Sequence, residues 1–142
     1  MKEYHTSLVI DKPAAAVWKM LTDTARYPDW NPLVGRLVGE LKTGNTIETY
    51  IVPLGKSFFP KLLSVKPEKE LIWQGKQVAK FLLAGKHYYR LEALEAGRTK
   101  LLHGEYFTGL LSPFISKKLL KKMEDNFHQH NLELKLLVED EG

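Results

Sequence analysis

Cysteine is absent from the 142-residue sequence. Its absence excludes both a disulfide framework and a thiolate nucleophile, and it is typical of proteins in the reducing cytoplasm, where we expect this one to reside. Long apolar runs are also missing, because no segment approaches the roughly 20 consecutive apolar residues that a membrane span requires. The N-terminal residues lack the apolar stretch and small-residue cleavage site of a signal peptide.

Glycine and histidine do not occur in patterns that bind cofactors or metals. Gly35, Gly39 and Gly44 are scattered, so they form neither a phosphate loop nor a dinucleotide fingerprint. His128 and His130 lie two residues apart in a predicted helix, where their side chains point about 200° apart around the axis and cannot chelate one ion. We therefore expect no cofactor and no metal ion.

Charge is nearly balanced, with 21 Lys and Arg residues against 17 Asp and Glu residues and a net charge of +4. The main basic cluster, here called the lysine cluster, consists of Lys117, Lys118, Lys121 and Lys122. Such a cluster usually forms the solvated face of a helix, and the alternative is transient contact with an anionic membrane or a protein partner. Nucleic acid is not an expected partner, because the aromatic residues are not interleaved with the lysines as a stacking platform requires.

Period-two alternation of apolar residues predicts seven strands, at residues 3–10, 34–41, 46–52, 57–65, 71–75, 81–94 and 99–107. Turn residues separate consecutive strands by hairpin-length connections, which predicts an antiparallel meander. After the first strand, apolar spacing predicts a helix from Pro13 to about Thr24 and a short helical turn at residues 26–29, which Pro32 terminates. No repeat, linker or low-complexity tract divides the chain, so residues 1–142 are predicted to form a single domain.

The longest predicted helix closes the chain, from a cap at Ser112 through Pro113 to about Val138. Its apolar stripe recurs every three or four residues and consists of Ile115, Leu119, Met123, Phe127, His130 and Leu134. The inner face of the sheet is the only large apolar surface against which this stripe can pack. A curved sheet that grips one long helix leaves space between them, which predicts an internal ligand cavity; a filled, dry core is the alternative.

Two strands carry side chains suited to acid–base chemistry or ligand orientation. Alternation in the last strand places His103 and Glu105 on the same inward face as Phe107, and the preceding strand turns His87 and Tyr89 inward. A buried carboxyl group and a histidine near neutrality can transfer protons, so Glu105 and His103 are the candidate catalytic residues. The alternative is a structural role, in which these groups satisfy each other or the backbone, because buried charges are costly unless paired.

The candidate ligand contacts are aromatic, apolar and polar residues expected on the cavity wall. Aromatic rings can stack on planar ligands, although packing in the core is their commoner role. The predicted ligand-binding residues are Trp30, Trp73, His87, Tyr89, Phe107, Met123, Phe127 and His130. Asn126 and Asn131 are further candidates for a group that orients the ligand, and access is expected between residues 54–59 and the start of the long helix.

The order of these elements, together with four sequence segments, resembles the helix-grip domains of the START-related superfamily. The segments are residues 10–21, residues 27–34 with the run Tyr-Pro-Asp-Trp-Asn-Pro-Leu-Val, residues 87–92 with 99–109, and residues 127–135. Within that superfamily the chain looks most similar to the polyketide cyclase/dehydrase-like lipid-transport group, also called SRPBCC. The resemblance implies an α+β helix-grip fold of the START or birch-allergen type, with a curved seven-stranded antiparallel sheet around the C-terminal helix and two short helices after the first strand.

Members of this superfamily include ligand binders, lipid carriers, cyclases and co-chaperone relatives, so the fold alone does not select a function. Our first interpretation is a protein that binds a small hydrophobic molecule, such as a lipid, acyl, aromatic or polyketide-like compound. One alternative is a cofactor-independent cyclase or dehydratase that uses Glu105 and His103 as acid–base groups. The other is a co-chaperone-like module that binds a protein partner through the lysine cluster.

Overall fold

A computed structural model describes residues 2–76 and 83–141 of the chain. Within these ranges the strands are β1 (Lys2–Ile10), β2 (Val34–Val38), β3 (Glu48–Ile51), β4 (Lys56–Phe58), β5 (Lys61–Lys66), β6 (Glu70–Lys76), β7 (Ala84–Ala93) and β8 (Thr99–Thr108). The α-helices are α1 (Ala14–Leu21), α2 (Tyr27–Trp30) and α3 (Lys117–Glu141). This order of elements confirms the predicted α+β helix-grip class.

The strands form two antiparallel sheets rather than one continuous meander. The larger sheet has the order β1-β8-β7-β6-β5, and the smaller sheet has the order β2-β3-β4. The N-terminal strand β1 pairs with β8 along its whole length, from Lys2 opposite Phe107 to Ile10 opposite Thr99. This pairing brings the two ends of the sequence together beside α3.

The predicted strand at residues 57–65 is two strands, so the number of strands is eight rather than seven. Pro60 separates β4 from β5 because it has no N–H to donate to a ladder. Its carbonyl oxygen accepts a hydrogen bond from the Ile47 N–H at 2.9 Å, and the segment crosses from the small sheet to the large one. The strand predicted at residues 81–94 is observed from Ala84, and residues 81–82 lie outside the described ranges.

The first helix is shorter than predicted and ends at Leu21 rather than near Thr24. Pro13 directly precedes it, and the Pro13 carbonyl oxygen accepts hydrogen bonds from the first helical turn. A 3-10 turn (Thr24–Arg26) then leads into α2, which matches the predicted helical turn. The side chain of Asn31 stops α2, because its Oδ1 accepts hydrogen bonds from the backbone N–H groups that follow it.

The long helix begins at Lys117 rather than near Pro113, so the predicted cap is wrong. Ser112 belongs to a separate 3-10 turn, and its hydroxyl donates a hydrogen bond to the carbonyl oxygen of Gly109 at 2.9 Å. Ser116 is the residue that caps α3, since its Oγ accepts a hydrogen bond from the Leu119 N–H at 3.1 Å. Two nearby serines satisfy the same capping pattern, and sequence alone did not distinguish them.

Helix α3 packs against β1 and β8 through one buried stripe. Phe127 is the largest fully buried side chain of that stripe, and its ring meets the edge of Tyr4 with centroids 4.8 Å apart. The lysine cluster lies on the exposed side of the helix. Within the described ranges, no helix combines the length and the apolar character needed to cross a membrane.

Candidate ligand-binding cavity

A cavity of about 270 Å³ lies between the two sheets and the first half of α3. Since a water molecule takes roughly 30 Å³ in the liquid, this space corresponds to about nine waters and suits one small organic molecule. The described lining residues are Tyr4, Leu33, Val34, Thr49, Ile51, Leu54, Phe58, Pro60, Trp73, Gly75, Leu83, Gly85, His87, Glu105, Phe107, Ile115, Leu119, Leu120, Met123 and Phe127. The predicted cavity is therefore present, and its wall is mostly apolar.

Four lining residues form a row across four adjacent strands of the large sheet. Trp73 of β6 lies opposite His87 of β7, and His87 lies opposite Glu105 of β8. Glu105 in turn lies opposite Tyr4 of β1. Directly opposed residues share one face of a sheet, so the register places all four on the cavity side. The Trp73 and His87 rings stack with centroids 4.1 Å apart and planes 9° from parallel.

Glu105 is the one acidic residue among the described lining residues. The Tyr4 hydroxyl donates a hydrogen bond to its Oε1 at 2.8 Å. A Cβ atom at Gly85 would lie 2.9 Å from its Oε2, so glycine at that position makes room for the carboxyl group. Burial raises the pKa of Glu105 to about 7, and the hydrogen bond from Tyr4 opposes that rise. Burial also raises the pKa of Tyr4, which keeps the phenol a neutral donor.

Behind this row lies a chain of hydrogen-bonded polar side chains that we call the histidine network. Its members are at most 4% exposed and are Thr6, His87, Tyr89, His103, His130 and Asn131. The Nε2 atoms of His87 and His103 are 2.7 Å apart. Asn131 Oδ1 lies 2.8 Å from His103 Nδ1 and 3.0 Å from His130 Nδ1. The Tyr89 hydroxyl is 3.0 Å from His130 Nε2, which closes the far end of the chain.

The three histidines of this network are neutral at physiological pH. Burial lowers the pKa of His130 to about 4, although its hydrogen bond with Asn131 opposes the shift. Burial lowers the pKa of His87 and His103 well below the usual value, and neighbouring histidines lower both further. Among the described residues, no group of three or more His, Cys, Asp or Glu side chains is arranged to hold a metal ion.

The structure separates the predicted site residues into two groups. Six line the cavity: Trp73, His87, Glu105, Phe107, Met123 and Phe127. Four lie outside the wall: Trp30, Tyr89, His103 and His130. Trp30 packs against Tyr27 and His130, and the other three belong to the histidine network. The four residues outside the wall can influence a bound molecule only through the residues that line the cavity.

Glu105 and His103 do not hydrogen-bond to each other, although alternation places both on the inner face. Glu105 pairs with Tyr4, whereas His103 pairs with His87 and Asn131. Of the two helix asparagines, Asn131 is buried in the network. Asn126 is half-buried and donates to the Lys122 carbonyl oxygen at 2.8 Å.

Sequence reasoning missed three residues that shape the polar part of the cavity. Tyr4 lies in the predicted first strand, but its contact with Glu105 depends on the β1–β8 register, which the sequence does not reveal. Gly85 carries no local signal, because its importance lies in the space it leaves for another strand's carboxyl group. Thr49, which is 1% exposed, lines the opposite wall from β3.

The cavity lining includes exposed residues at the end formed by residues 52–60 and the start of α3. Two of its lining residues at this end, Leu54 and Leu119, are 42% and 38% exposed. The Lys122 Nζ donates a hydrogen bond to the Pro53 carbonyl oxygen at 3.2 Å, which joins the two segments at the surface. An access route at this position stays a prediction from the sequence.

Comparisons with known proteins agree with this architecture. The model of a family described as polyketide cyclase / dehydrase and lipid transport matches residues 1–139, which confirms the resemblance drawn from the sequence. A search of curated proteins finds no match.

Solved structures share the fold over nearly the whole chain at low sequence identity. The Zhui aromatase/cyclase from Streptomyces sp. R1128 is 17% identical with a TM-score of 0.73, over 97% of this chain and 93% of that one. A START superfamily protein from Mycobacterium smegmatis is 14% identical with a TM-score of 0.74, over 99% of both chains. The hypothetical protein jhp0584 from Helicobacter pylori is 15% identical with a TM-score of 0.80, over 96% of this chain and 88% of that one.

Proposed function

This chain belongs to the polyketide cyclase / dehydrase and lipid transport family, and from that membership and the cavity we propose that it binds one small, largely apolar molecule in its interior. The observation that carries the proposal is the cavity of about 270 Å³ with its apolar wall. Burial of a ligand's apolar surface there would contribute about 25 cal/mol per Å² before ordering costs are subtracted. Aromatic, acyl and polyketide-like compounds of limited size fit this description.

Gly75 offers a direct test, because a side chain added there would occupy the cavity. It lines the cavity, it lies two residues from Trp73 on the same face of β6, and a Cβ atom at Gly75 would have no neighbour within 4 Å among the described residues. Gly75→Leu should therefore remove binding of an apolar fluorescent probe such as phenylnaphthylamine. Gly75→Ala is the matched control, since it makes the same backbone change and leaves most of the space.

The outcome is read from probe fluorescence and from thermal unfolding of both variants. We expect Gly75→Leu to unfold like Gly75→Ala while losing the probe. Equal probe binding by the two variants, with both folded, would mean that the probe sits elsewhere and would contradict binding in this cavity.

A second candidate is a cofactor-independent cyclase or dehydratase, because Glu105 faces the cavity with a pKa raised to about 7 by burial. A carboxyl group near neutrality can donate or accept a proton during an aldol-type step. In this version Glu105 is the acid–base group, and His103 acts only through His87, which lies between it and the cavity. Glu105→Gln should then abolish turnover of an aromatic polyketide precursor while ligand affinity persists. Turnover retained by that variant would exclude this chemistry.

We also propose that the mouth of the cavity makes transient contact with an anionic membrane surface. Large apolar side chains in residues 52–60 and in the segment just before α3 are exposed: Phe59 at 67%, Leu110 at 71% and Phe114 at 80%. The lysine cluster lies on the first turns of α3, next to Phe114. Exposed apolar groups beside basic residues complement lipid tails and anionic headgroups, respectively. A co-chaperone-like role through the lysine cluster is the competing interpretation.

Vesicle sedimentation distinguishes these interpretations. We expect binding to vesicles with about 30% phosphatidylserine, loss in high salt, and little binding to phosphatidylcholine alone. Phe114→Ser should weaken binding, whereas Leu136→Ser, at an equally apolar position that is 55% exposed far along α3, should not. Equal binding of both variants, or no binding to the anionic vesicles, would overturn the membrane proposal.

A further inference from the structure

The described cavity wall lacks the positively charged side chains that usually bind an anion. Among the described lining residues there is no Lys and no Arg, and the one charged residue is Glu105. A carboxylate or phosphate placed in this cavity would meet a carboxyl group without a compensating cation from that part of the wall. The described part of the wall is therefore electrostatically unfavourable for fatty-acid anions, even though it is apolar enough for their tails.

The free oxygen of Glu105 is the main polar contact that the wall offers. Its Oε1 already accepts the proton of the Tyr4 hydroxyl, so the phenol has no second proton to give to a ligand. The other oxygen, Oε2, lies beside Gly85, where a Cβ atom would be only 2.9 Å away. An ionised carboxylate accepts hydrogen bonds and cannot donate them. The pair thus presents accepting oxygens to the cavity above neutral pH.

The hydrogen-bond directions in the histidine network determine which nitrogen of His87 carries the proton. The Thr6 hydroxyl donates to the carbonyl oxygen of His103 at 2.6 Å, so Thr6 Oγ1 must accept from the Asn131 amide at 2.7 Å. Asn131 Oδ1 is then left to accept from the Nδ1–H groups of His103 and His130. Neutral His103, protonated at Nδ1, accepts at Nε2 from the Nε2–H of His87. His87 therefore has an unprotonated Nδ1.

That Nδ1 atom has no hydrogen-bond partner among the described residues and is itself covered. His87 lines the cavity through its ring, which stacks on Trp73. Because this Nδ1 is covered and Nε2–H is bonded to His103, His87 adds no donor to this part of the wall, and Glu105 remains the group that a ligand reaches directly. The remaining hydroxyl, that of Thr49, belongs to β3 in the other sheet. Among the described lining residues, Glu105 thus supplies accepting oxygens, whereas Trp73 and Thr49 carry an N–H and an O–H donor.

We propose that this cavity selects an apolar molecule that carries one neutral or cationic hydrogen-bond donor, such as a phenol, an alcohol or an amine, and that Glu105 accepts that donor while carboxylate and phosphate ligands are rejected. The inference rests on the proposed binding function and adds the chemical class of the ligand. It follows from matching each acceptor on the wall with a donor on the guest, since a buried acceptor left without a partner weakens binding.

A set of naphthalene derivatives with one ring system and different head groups tests the proposal. Naphthol and aminomethylnaphthalene carry donors, methoxynaphthalene carries only an acceptor, and naphthoate carries an anion. Each competes with phenylnaphthylamine for the wild-type protein at about pH 8, above the pKa of Glu105. We expect naphthol and the amine to bind about ten- to a hundredfold more tightly than methoxynaphthalene, and naphthoate to bind most weakly.

Glu105→Gln supplies the matched variant, because its amide keeps an acceptor, adds a donor and removes the charge. Naphthoate and methoxynaphthalene should each gain about tenfold in affinity for this variant relative to wild type. Glu92→Gln is the control, since this substitution changes the net charge equally at an exposed position on β7. Circular dichroism and thermal unfolding establish that each variant is folded before affinities are compared.

Failure of this inference and failure of the binding function give different results. Naphthol, methoxynaphthalene and naphthoate binding equally well, with Gly75→Leu blocking all three, would overturn donor selection and leave binding in the cavity intact. Preferred binding of naphthoate would overturn donor selection as well. If Gly75→Leu changes the binding of none of these compounds, binding in the cavity itself is contradicted.

Discussion

The histidine network and the cavity lie side by side on the inner face of the large sheet, yet they use polar side chains in opposite ways. In the network, every member is at most 4% exposed, and apart from His87 Nδ1 the side-chain groups pair with one another or with a backbone carbonyl through hydrogen bonds of 2.6 to 3.0 Å. In the cavity wall, Glu105 receives one hydrogen bond from Tyr4 and keeps an oxygen beside open space. His87 belongs to both regions, with Nε2 in the network and its ring in the wall.

The difference separates a structural use of buried polarity from a functional one. A polar cluster whose donors and acceptors are matched fixes one arrangement of its strands and helix, and it has no capacity left for a ligand. A carboxyl group that is enclosed and only partly satisfied is costly for folding, so it is expected where binding or chemistry needs it. By this criterion, the network holds α3 on the sheet, and the cavity is where we propose that a ligand binds.

Asn131→Leu should produce the largest effect, because Asn131 joins both histidines to Thr6. The substitution leaves the Nδ1–H groups of His103 and His130 without their acceptor. Each buried donor without a partner costs about 1–3 kcal/mol, so we expect a loss of about 3–5 kcal/mol in the free energy of unfolding. Denaturation by urea measures this loss.

Asn126→Leu is the matched control at a half-buried position outside the network on the same helix. Asn126 bonds only to the Lys122 carbonyl oxygen, and its replacement should change stability by less than about 0.5 kcal/mol. A difference of under about 1 kcal/mol between the two variants would show that the network is not the structural element we describe.

Acidification should weaken the network while it favours the protonated form of Glu105. The histidine pKa values are lowered by folding, so the unfolded chain binds more protons below about pH 6.5 and stability is lost from there toward pH 4. The pKa of Glu105 is raised to about 7, so the stability from its protonated form is present below about pH 4.5 and is lost as pH rises through 7. Together these predict a net loss of roughly 2 kcal/mol between pH 7 and pH 5.5.

Urea denaturation at several pH values checks the sign of each contribution. Glu105→Gln removes the opposing carboxyl group, so its acid loss should be roughly twice that of wild type. A wild-type protein that becomes more stable between pH 7 and pH 5.5 would contradict the neutral network.

The sequence predicted the fold and the inward face of each strand better than the contacts within that face. Period-two alternation placed His103 and Glu105 inward, because burial of one sheet face fixes the parity of every residue on a strand. It did not predict that they serve different regions, since their partners Tyr4 and Asn131 come from β1 and α3. Such pairings depend on strand register and helix position, which are set by packing of the whole domain.

The ends of strands and helices were predicted less accurately than their existence, for local reasons. Pro60 was included in one strand because the apolar pattern continues through it, although the missing N–H forces a change of sheet there. The cap of α3 was assigned to Ser112 because a proline follows that serine, whereas Ser116 makes the capping hydrogen bond. In both places the pattern was compatible with two conformations, and tertiary packing selected one.

The smallest predicted effect concerns the hydrogen bond that Glu105 accepts from Tyr4 in the cavity wall. Tyr4→Phe removes the hydroxyl that donates to Glu105 and keeps the ring that packs edge-on against Phe127. That donor stabilises the ionised carboxylate, so its loss should raise the pKa of Glu105 by about one unit or less, equivalent to about 1 kcal/mol. Carboxyl chemical shifts followed by NMR titration measure the change, and Tyr106→Phe, on the opposite face of β8, is the control. An unchanged or lowered pKa in Tyr4→Phe would mean that Glu105 is already satisfied by other groups, and the cavity would then resemble the network.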